Sequence, residues 1–239
     1  MTNYIEEYKN LHKNLASFGS GACMYIEEVS LIIEELKPKV VLDYGCGKAN
    51  LIKELSSRFP NTQFYGYDPA IPGRDVLPVK SADLVINTDV LEHIPEEQLP
   101  SIIEEISNIS QNAFFGLHHA KAYTILPNGE NAHCTVKPPI WYYNLFLKYF
   151  KTPYPLQGRL PELSAMITFP PTIDFLRKYD LMLKPNIEEI VIDILKKQQK
   201  PSKIFSIVNE YKGNKKHKII NILGLTIKFK VKNKKINTK

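Results

Sequence analysis

Apolar positions recur at Ile26, Val29, Ile32, Ile33 and Leu36, the spacing of one helix face, and Lys37-Pro38 stops the pattern. Val40-Val41-Leu42 follows as a short apolar run, which reads as a buried strand turned by Gly45 and Gly47. Helical spacing resumes at Leu51, Ile52 and Leu55. Further strands are expected at Gln63–Tyr67, Leu84–Asn87 and Ala113–Leu117, with helical spacing from Pro95 to Ile109 between the last two. Short apolar strands alternating with amphipathic helices predict an α/β fold, a doubly wound and mostly parallel sheet with helices on both faces.

The texture changes between Pro127 and Pro171, which hold eight of the chain's seventeen prolines and the aromatics Trp141, Tyr142, Tyr143, Phe146, Tyr149, Phe150 and Tyr154. Such a stretch reads as a cap over the sheet edge, inserted at about 121–171, with Pro138-Pro139 opening a helix that runs to about Phe150. Ile204 to Tyr211 is expected as a last strand of the sheet. Beyond it Leu225, Ile227, Phe229 and Val231 alternate with Thr226, Lys228, Lys230 and Lys232, giving one apolar and one basic face. The expected division is therefore one domain over 1–211 and a tail over 212–239.

Charge sharpens that division. The 239 residues carry 31 Lys and Arg against 25 Asp and Glu, a net charge of +6. Residues 212–239 hold ten lysines and no acid, which leaves 21 basic against 25 acidic residues in the body. A mildly acidic body argues against a long nucleic-acid ligand, which needs a basic track beside the site. Cys23, Cys46 and Cys134 are too widely spaced for a disulfide framework or a zinc knuckle, which points to a reducing cytoplasm. The first residues lack the basic start and apolar core of a signal peptide, and no window reads as a membrane span.

Chemistry concentrates at the strand ends. In Asp43-Tyr44-Gly45-Cys46-Gly47-Lys48-Ala49 an acid ends a buried strand and glycines admit a ligand close to the backbone. A dinucleotide turn offers amides to a pyrophosphate and tolerates no carboxylate among them, so Asp43 suits an amine-bearing ligand instead. Asp68, which closes the second strand in Tyr65-Gly66-Tyr67-Asp68-Pro69, can accept hydrogen bonds from both hydroxyls of a ribose.

Together these features resemble the class I S-adenosylmethionine-dependent methyltransferases, with their Asp/Glu-x-Gly-x-Gly-x-Gly first motif and Rossmann-like sheet. Ser81-Ala82-Asp83-Leu84-Val85-Ile86-Asn87-Thr88-Asp89-Val90-Leu91-Glu92-His93 is similar to the fourth-strand motif of the same superfamily. The resemblance covers roughly residues 20–120 and implies S-adenosylmethionine as cofactor and S-adenosylhomocysteine as product. It implies that Asp43, Gly45 and Gly47 face the amino-acid part and Asp68 the ribose. Cys46, Pro69, Asn87, Thr88 and Asp89 are implied beside them. Two departures stand out: Ala49 replaces the third glycine, and only eight residues separate Asp68 from Leu77, so the adenine pocket is abbreviated. Asp75 is one residue there able to meet the exocyclic amine of adenine.

Methyl transfer to a hydroxyl needs a base, most often a neutral histidine. His93, His118, His119 and His133 fall where they reach the carboxyl ends of the strands, and His133 is the first choice because a turn-rich approach delivers it before the capping helix. His12 and His217 fall outside this group. Asp89-x-x-Glu92-His93 also resembles the Glu-x-x-Glu-His metal motif of small-RNA 2′-O-methyltransferases and some ubiquinone-pathway enzymes. That resemblance adds Asp89, Glu92 and His93 as an alternative site for a divalent ion, completed by His133, His118 or His119. Trp141 and Tyr142 are the expected stacking residues for an acceptor, with a core helix as the competing reading.

Lys215 to Lys230 is similar to the C-terminal tails of many bacterial capsule and lipopolysaccharide enzymes. The resemblance implies a small-molecule or glycan acceptor, a sugar hydroxyl or a sugar-linked or phosphate-type group, in surface-polysaccharide synthesis. The basic face would rest on the inner membrane or on glycan-assembly enzymes. The competing readings are a metal-assisted O-methyltransferase of RNA or a quinone precursor, and a non-catalytic cofactor-binding scaffold.

Overall fold

A computed structural model describes residues 4–15, 18–19, 21–183, 205–212, 215–222 and 225–230. It divides into two compact units, residues 1–183 and 184–239. The first ends well before the expected boundary at 211.

The first unit is built on a six-stranded sheet in the order β2-β1-β3-β4-β6-β5. β1 (Val40–Tyr44), β2 (Gln63–Tyr67), β3 (Leu84–Thr88) and β4 (Ala113–His118) pair in parallel. Their apolar runs are continuous because both faces are covered. Val41, Leu84, Ile86 and Phe114 pack with Val29, Ile32 and Ile33 of α2 (Ile26–Leu36), Leu51 and Leu55 of α3 (Asn50–Arg58) and Phe175 of α6 (Ile173–Leu183). Leu42, Val85 and Phe115 point the other way, onto Leu99, Ile103 and Ile106 of α4 (Leu99–Ile109) and Tyr142 and Phe146 of α5 (Pro139–Phe146). Alternate strand residues thus feed two separate cores.

The proline-rich stretch is more than a cap. β5 (Tyr154–Gln157) and β6 (Leu163–Ile167) lie within it and extend the sheet antiparallel from β4. All five residues of β6 are buried, whereas β5 takes the outer edge, where Pro155 is tolerated. Arg159, in the hairpin between them, makes a two-pronged ion pair with the buried Glu28 of α2 at 2.6 and 3.0 Å. The capping helix is shorter than expected, ending at Phe146, with Phe150 in the core beyond it.

The expected abbreviation after Asp68 is present: no helix or strand lies between β2 and β3. The expected final strand of this sheet is not part of it. Ile204 lies outside the described residues, and Phe205–Lys212 instead forms β7 of a separate antiparallel sheet with β8 (Lys215–Ile222) and β9 (Leu225–Lys230). In its register Phe205 pairs with Ile222 and Ile222 with Leu225, and Ile207 pairs with Ile220 and Ile220 with Ile227. Lys212 pairs with Lys215, Glu210 with His217, and His217 with Lys230. Among the described residues, no helix is long and apolar enough to cross a membrane.

Candidate functional site

The carboxyl ends of β1, β2 and β3 open into a cavity of about 450 Å³. Its floor is the turn after β1, where Gly45 and Gly47 have φ of 91° and 49°. A Cβ at Gly45 would lie 2.4 Å from Val90, and one at Gly47 2.7 Å from the Gly19 carbonyl oxygen, so the turn admits no side chain at either place. Ala49, in place of the third glycine, keeps the left-handed conformation at φ 59° and caps α3.

The amides of this turn are already used. Gly45 and Cys46 donate to the Tyr67 carbonyl oxygen at 2.7 and 3.0 Å, and Gly47 donates to Asp68 Oδ2 at 2.9 Å. A pyrophosphate would find no donors here. Asp43 offers the opposite chemistry: it is fully buried and neither carboxylate oxygen has a partner. Burial, with the nearby Asp68 charge adding, pushes its carboxyl up to about 8, and Arg74 opposes the shift. An orphaned acid under a glycine turn fits the ammonium of an amino-acid ligand. Asp68 takes the Gly47 and Ala70 amides at 2.9 Å each, which fixes its carboxylate at the cavity wall beside Pro69. Gly45, Gly47, Asp68 and Pro69 line the cavity, and Asp43 lies buried behind the turn without lining it.

Three other expected cofactor residues act from behind. The Cys46 thiol is buried against Gly66, its ionisation pushed up to about 12 by burial. Asn87 donates to the Tyr44 carbonyl oxygen at 2.7 Å and ties β3 to β1, and Thr88 is buried beside it. None of the three lines the cavity.

Past Asp68 lies a second cluster. Asp89 leaves β3 at φ 59°, its carboxylate pressed so close to Gly21 that a Cβ there would sit 2.1 Å from Oδ2. Asp89, His93 and His133 each present one ligand-type atom, all within 4.8 Å of one another. His93 Nδ1 lies 2.8 Å from the Ala132 carbonyl oxygen and His133 Nδ1 2.6 Å from that of Ala120. A carbonyl oxygen only accepts, so both rings carry the proton on Nδ1 and keep an Nε2 lone pair. Burial pulls both below the usual imidazole range, His93 to about 4, so both are neutral near pH 7.

The remaining histidines separate. His118 packs its ring 4.8 Å from that of His133 without reaching the cavity. His119 is spent on structure, with Nδ1 2.7 Å from the Lys137 carbonyl oxygen and Nε2 2.6 Å from Ser164 Oγ. His12, set aside on sequence grounds, lines the cavity, its Nδ1 buried without a partner. Glu92 is fully buried but is no part of the ligand cluster; burial, then the Asp89 charge, holds its carboxyl well above the usual range. Among the described residues, the group whose geometry could hold an ion is therefore Asp89, His93 and His133 in place of Asp89, Glu92 and His93. Trp141 and Tyr142 also fall away from the cavity: Tyr142 is a core residue whose hydroxyl donates to the Thr135 carbonyl oxygen, and Lys137 sits over the Trp141 ring.

Aromatic walls come instead from α1 (Tyr4–Asn14). Tyr4, Tyr8 and His12 recur every four residues, a helix-face spacing visible in the sequence itself. The Tyr8 hydroxyl lies 2.8 Å from the His93 carbonyl oxygen and 2.9 Å from that of Ala132, and its ring meets Phe18 and the edge of His93. The N-terminal segment thus closes over both clusters.

Residues 12–115 match the family model for a methyltransferase domain. A protein of solved structure from Nostoc punctiforme, described as an O-methyltransferase, is 12% identical with a TM-score of 0.50; the match covers 68% of this chain and 60% of that one. The methyltransferase domain of bacterial CtHen1 is 18% identical, with a TM-score of 0.46 over 60% of this chain and 97% of that chain. Human N-acetylserotonin methyltransferase, solved with S-adenosylmethionine, is 15% identical, with a TM-score of 0.46 over 71% of this chain and 56% of that one. No curated protein matches the sequence.

Proposed function

We propose that this S-adenosylmethionine-dependent methyltransferase acts on an uncharged hydroxyl of a small or glycan acceptor, with His133 as general base. S-adenosylmethionine supplies a methyl group on a sulfonium and leaves as the neutral thioether S-adenosylhomocysteine. The chain's own part is to align the acceptor oxygen and take its proton. His133 Nε2 is the acceptor for that proton, and the bond from Nδ1 to the Ala120 carbonyl oxygen keeps the ring in the basic tautomer.

The observation that carries this reading is the meeting of two chemistries in one cavity. Asp68 lines one end, where a ribose would lie, with the buried Asp43 behind the glycine turn for an amine, and neutral His93 and His133 stand with Asp89 at the other. Among the described residues no lysine or arginine lines the cavity, which favours a hydroxyl over a phosphate-type group and argues against an RNA backbone. Surface-polysaccharide synthesis at the cytoplasmic face of the inner membrane is the setting we propose. It rests on the likeness of the tail to those of capsule and lipopolysaccharide enzymes and on ten lysines without an acid over 212–239.

The cluster of Asp89, His93 and His133 favours a second reading of the same transfer. One carboxylate and two imidazole nitrogens suit a divalent cation, which would gather the acceptor oxygens and lower the hydroxyl's pKa. One assay separates the two. Nucleotide-activated sugars and glycan fragments are offered with labelled cofactor to the wild-type protein, before and after chelation, and to His133→Ala. Under the first reading chelation changes nothing. His133→Ala then lowers turnover by about 10²- to 10⁴-fold and leaves S-adenosylhomocysteine affinity within about twofold. Loss of turnover on chelation, restored by Mg²⁺, Mn²⁺ or Zn²⁺, selects the second. Cofactor binding with no turnover on any acceptor selects a scaffold.

A further inference from the structure

The connection from β2 to β3 holds no helix or strand, so the wall that would flank the cofactor's nucleobase must come from elsewhere. Asp75, the acid in that connection, does not supply it. It is exposed, it accepts the Gly73 amide of its own turn at 3.1 Å, and it does not line the cavity.

The cavity does continue past Asp68, Pro69 and Ala70, on the α4 side of the sheet. Because β1 and β2 pair with Tyr44 opposite Tyr67, the two strand tips set both tyrosines on that side, their rings 4.8 Å apart and inclined at 61°. Across from them Ile102 and Glu105 lie three residues apart on α4, hence on one helix face, and both line the cavity. The Tyr44 hydroxyl donates to Glu105 Oε2. Among the described residues Glu105 forms no ion pair, and no lysine or arginine lines the cavity. One carboxylate oxygen is thus held by a phenol while the other is left for a neutral donor.

We propose that Tyr67, Ile102 and Glu105 form the nucleobase pocket of this protein, in which adenine lies against Tyr67 and Ile102 and its exocyclic amine donates to Glu105. An uncharged ring with an amine on its edge suits a flat, mostly apolar slot that ends in an unpaired acceptor. Ring and carboxylate take the place of the missing strand and helix. The inference rests on S-adenosylmethionine being the cofactor, and goes beyond that in assigning the base to α4.

The test is calorimetry on the full-length protein with S-adenosylhomocysteine and with S-inosylhomocysteine, in which the amine is replaced by a carbonyl oxygen. The wild type should prefer the adenosyl compound by about tenfold or more, the scale of one hydrogen bond to a charged group. Glu105→Gln should remove most of that preference, and Asp75→Asn should keep it. Circular dichroism confirms that the Glu105 variant is folded, and should it not fold, the wild-type preference decides alone. Equal affinity of the wild type for both compounds overturns the assignment. So does a preference that survives in Glu105→Gln or disappears in Asp75→Asn. If the wild type binds neither compound, the cofactor reading falls and the subsite with it, an outcome distinct from all of these.

Discussion

The two ends of the cavity are assembled in different ways. The cofactor end is made at the tips of adjacent strands, from the turn Tyr44 to Gly47 in front of the buried Asp43 and from Asp68 to Ala70, so each piece is a few consecutive residues held by strand pairing. The acceptor end is made from α1, the turn after β3 and the loop that carries Ala122 to His133, pieces scattered along the chain, the first and last of them more than a hundred residues apart. Contacts such as Tyr8 with Ala132 hold it, and they exist only once the chain has folded. Local sequence fixes the first kind of site, and tertiary packing the second.

Three experiments bear on that contrast. Asp43→Asn should have the largest effect. It removes the charge that answers the cofactor's ammonium and should weaken S-adenosylhomocysteine binding by about 10- to 100-fold, as for a hydrogen bond between charged groups. An unchanged dissociation constant would remove Asp43 from the cofactor end.

The second effect is a proton. With its carboxyl raised from 3.8 to about 8, Asp43 is largely protonated at pH 7 in the ligand-free protein, and an incoming ammonium lowers that pKa. Binding of S-adenosylhomocysteine at pH 7 should release up to one proton, seen as a binding enthalpy that varies with the ionisation enthalpy of the buffer. The same shift sets the sign for stability. Between pH 3.8 and about 8 the unfolded chain ionises Asp43 while the folded one keeps its proton, so this group's contribution falls as pH rises through that window. Asp43→Asn should lose both signatures.

Tyr8→Phe should be the smallest. It removes a hydroxyl shared by the His93 and Ala132 carbonyl oxygens and should cost about 1 kcal/mol of stability in a denaturation midpoint. Turnover should fall several-fold while cofactor affinity holds. A cofactor affinity that falls in step with turnover would show that the two ends are not separable.

How much was legible follows the same division. The strand ends Asp43 and Asp68 were readable because an acid closing an apolar run is a local pattern. The short link after Asp68 was readable by counting. His133 was placed by its turn-rich approach, but the hydrogen bonds that consume both nitrogens of His119 come from Lys137 and Ser164, remote in sequence. Trp141 and Tyr142 stay ambiguous in sequence because an aromatic pair beside a proline reads alike whether it lines a mouth or fills a core. β5 is hidden because Pro155 argues against a strand unless that strand is known to be at the edge.

The glycine turn whose amides are all spent has a consequence for the company the protein keeps. ATP and the dinucleotides share the adenosine of the cofactor and differ in the tail, where they carry phosphate oxygens that need donors and repel carboxylates. At that place they meet the Asp68 carboxylate and a turn with no amide to give. An adenosine that bears an amine is therefore expected to bind in preference to the crowded pool of adenosines that bear phosphate.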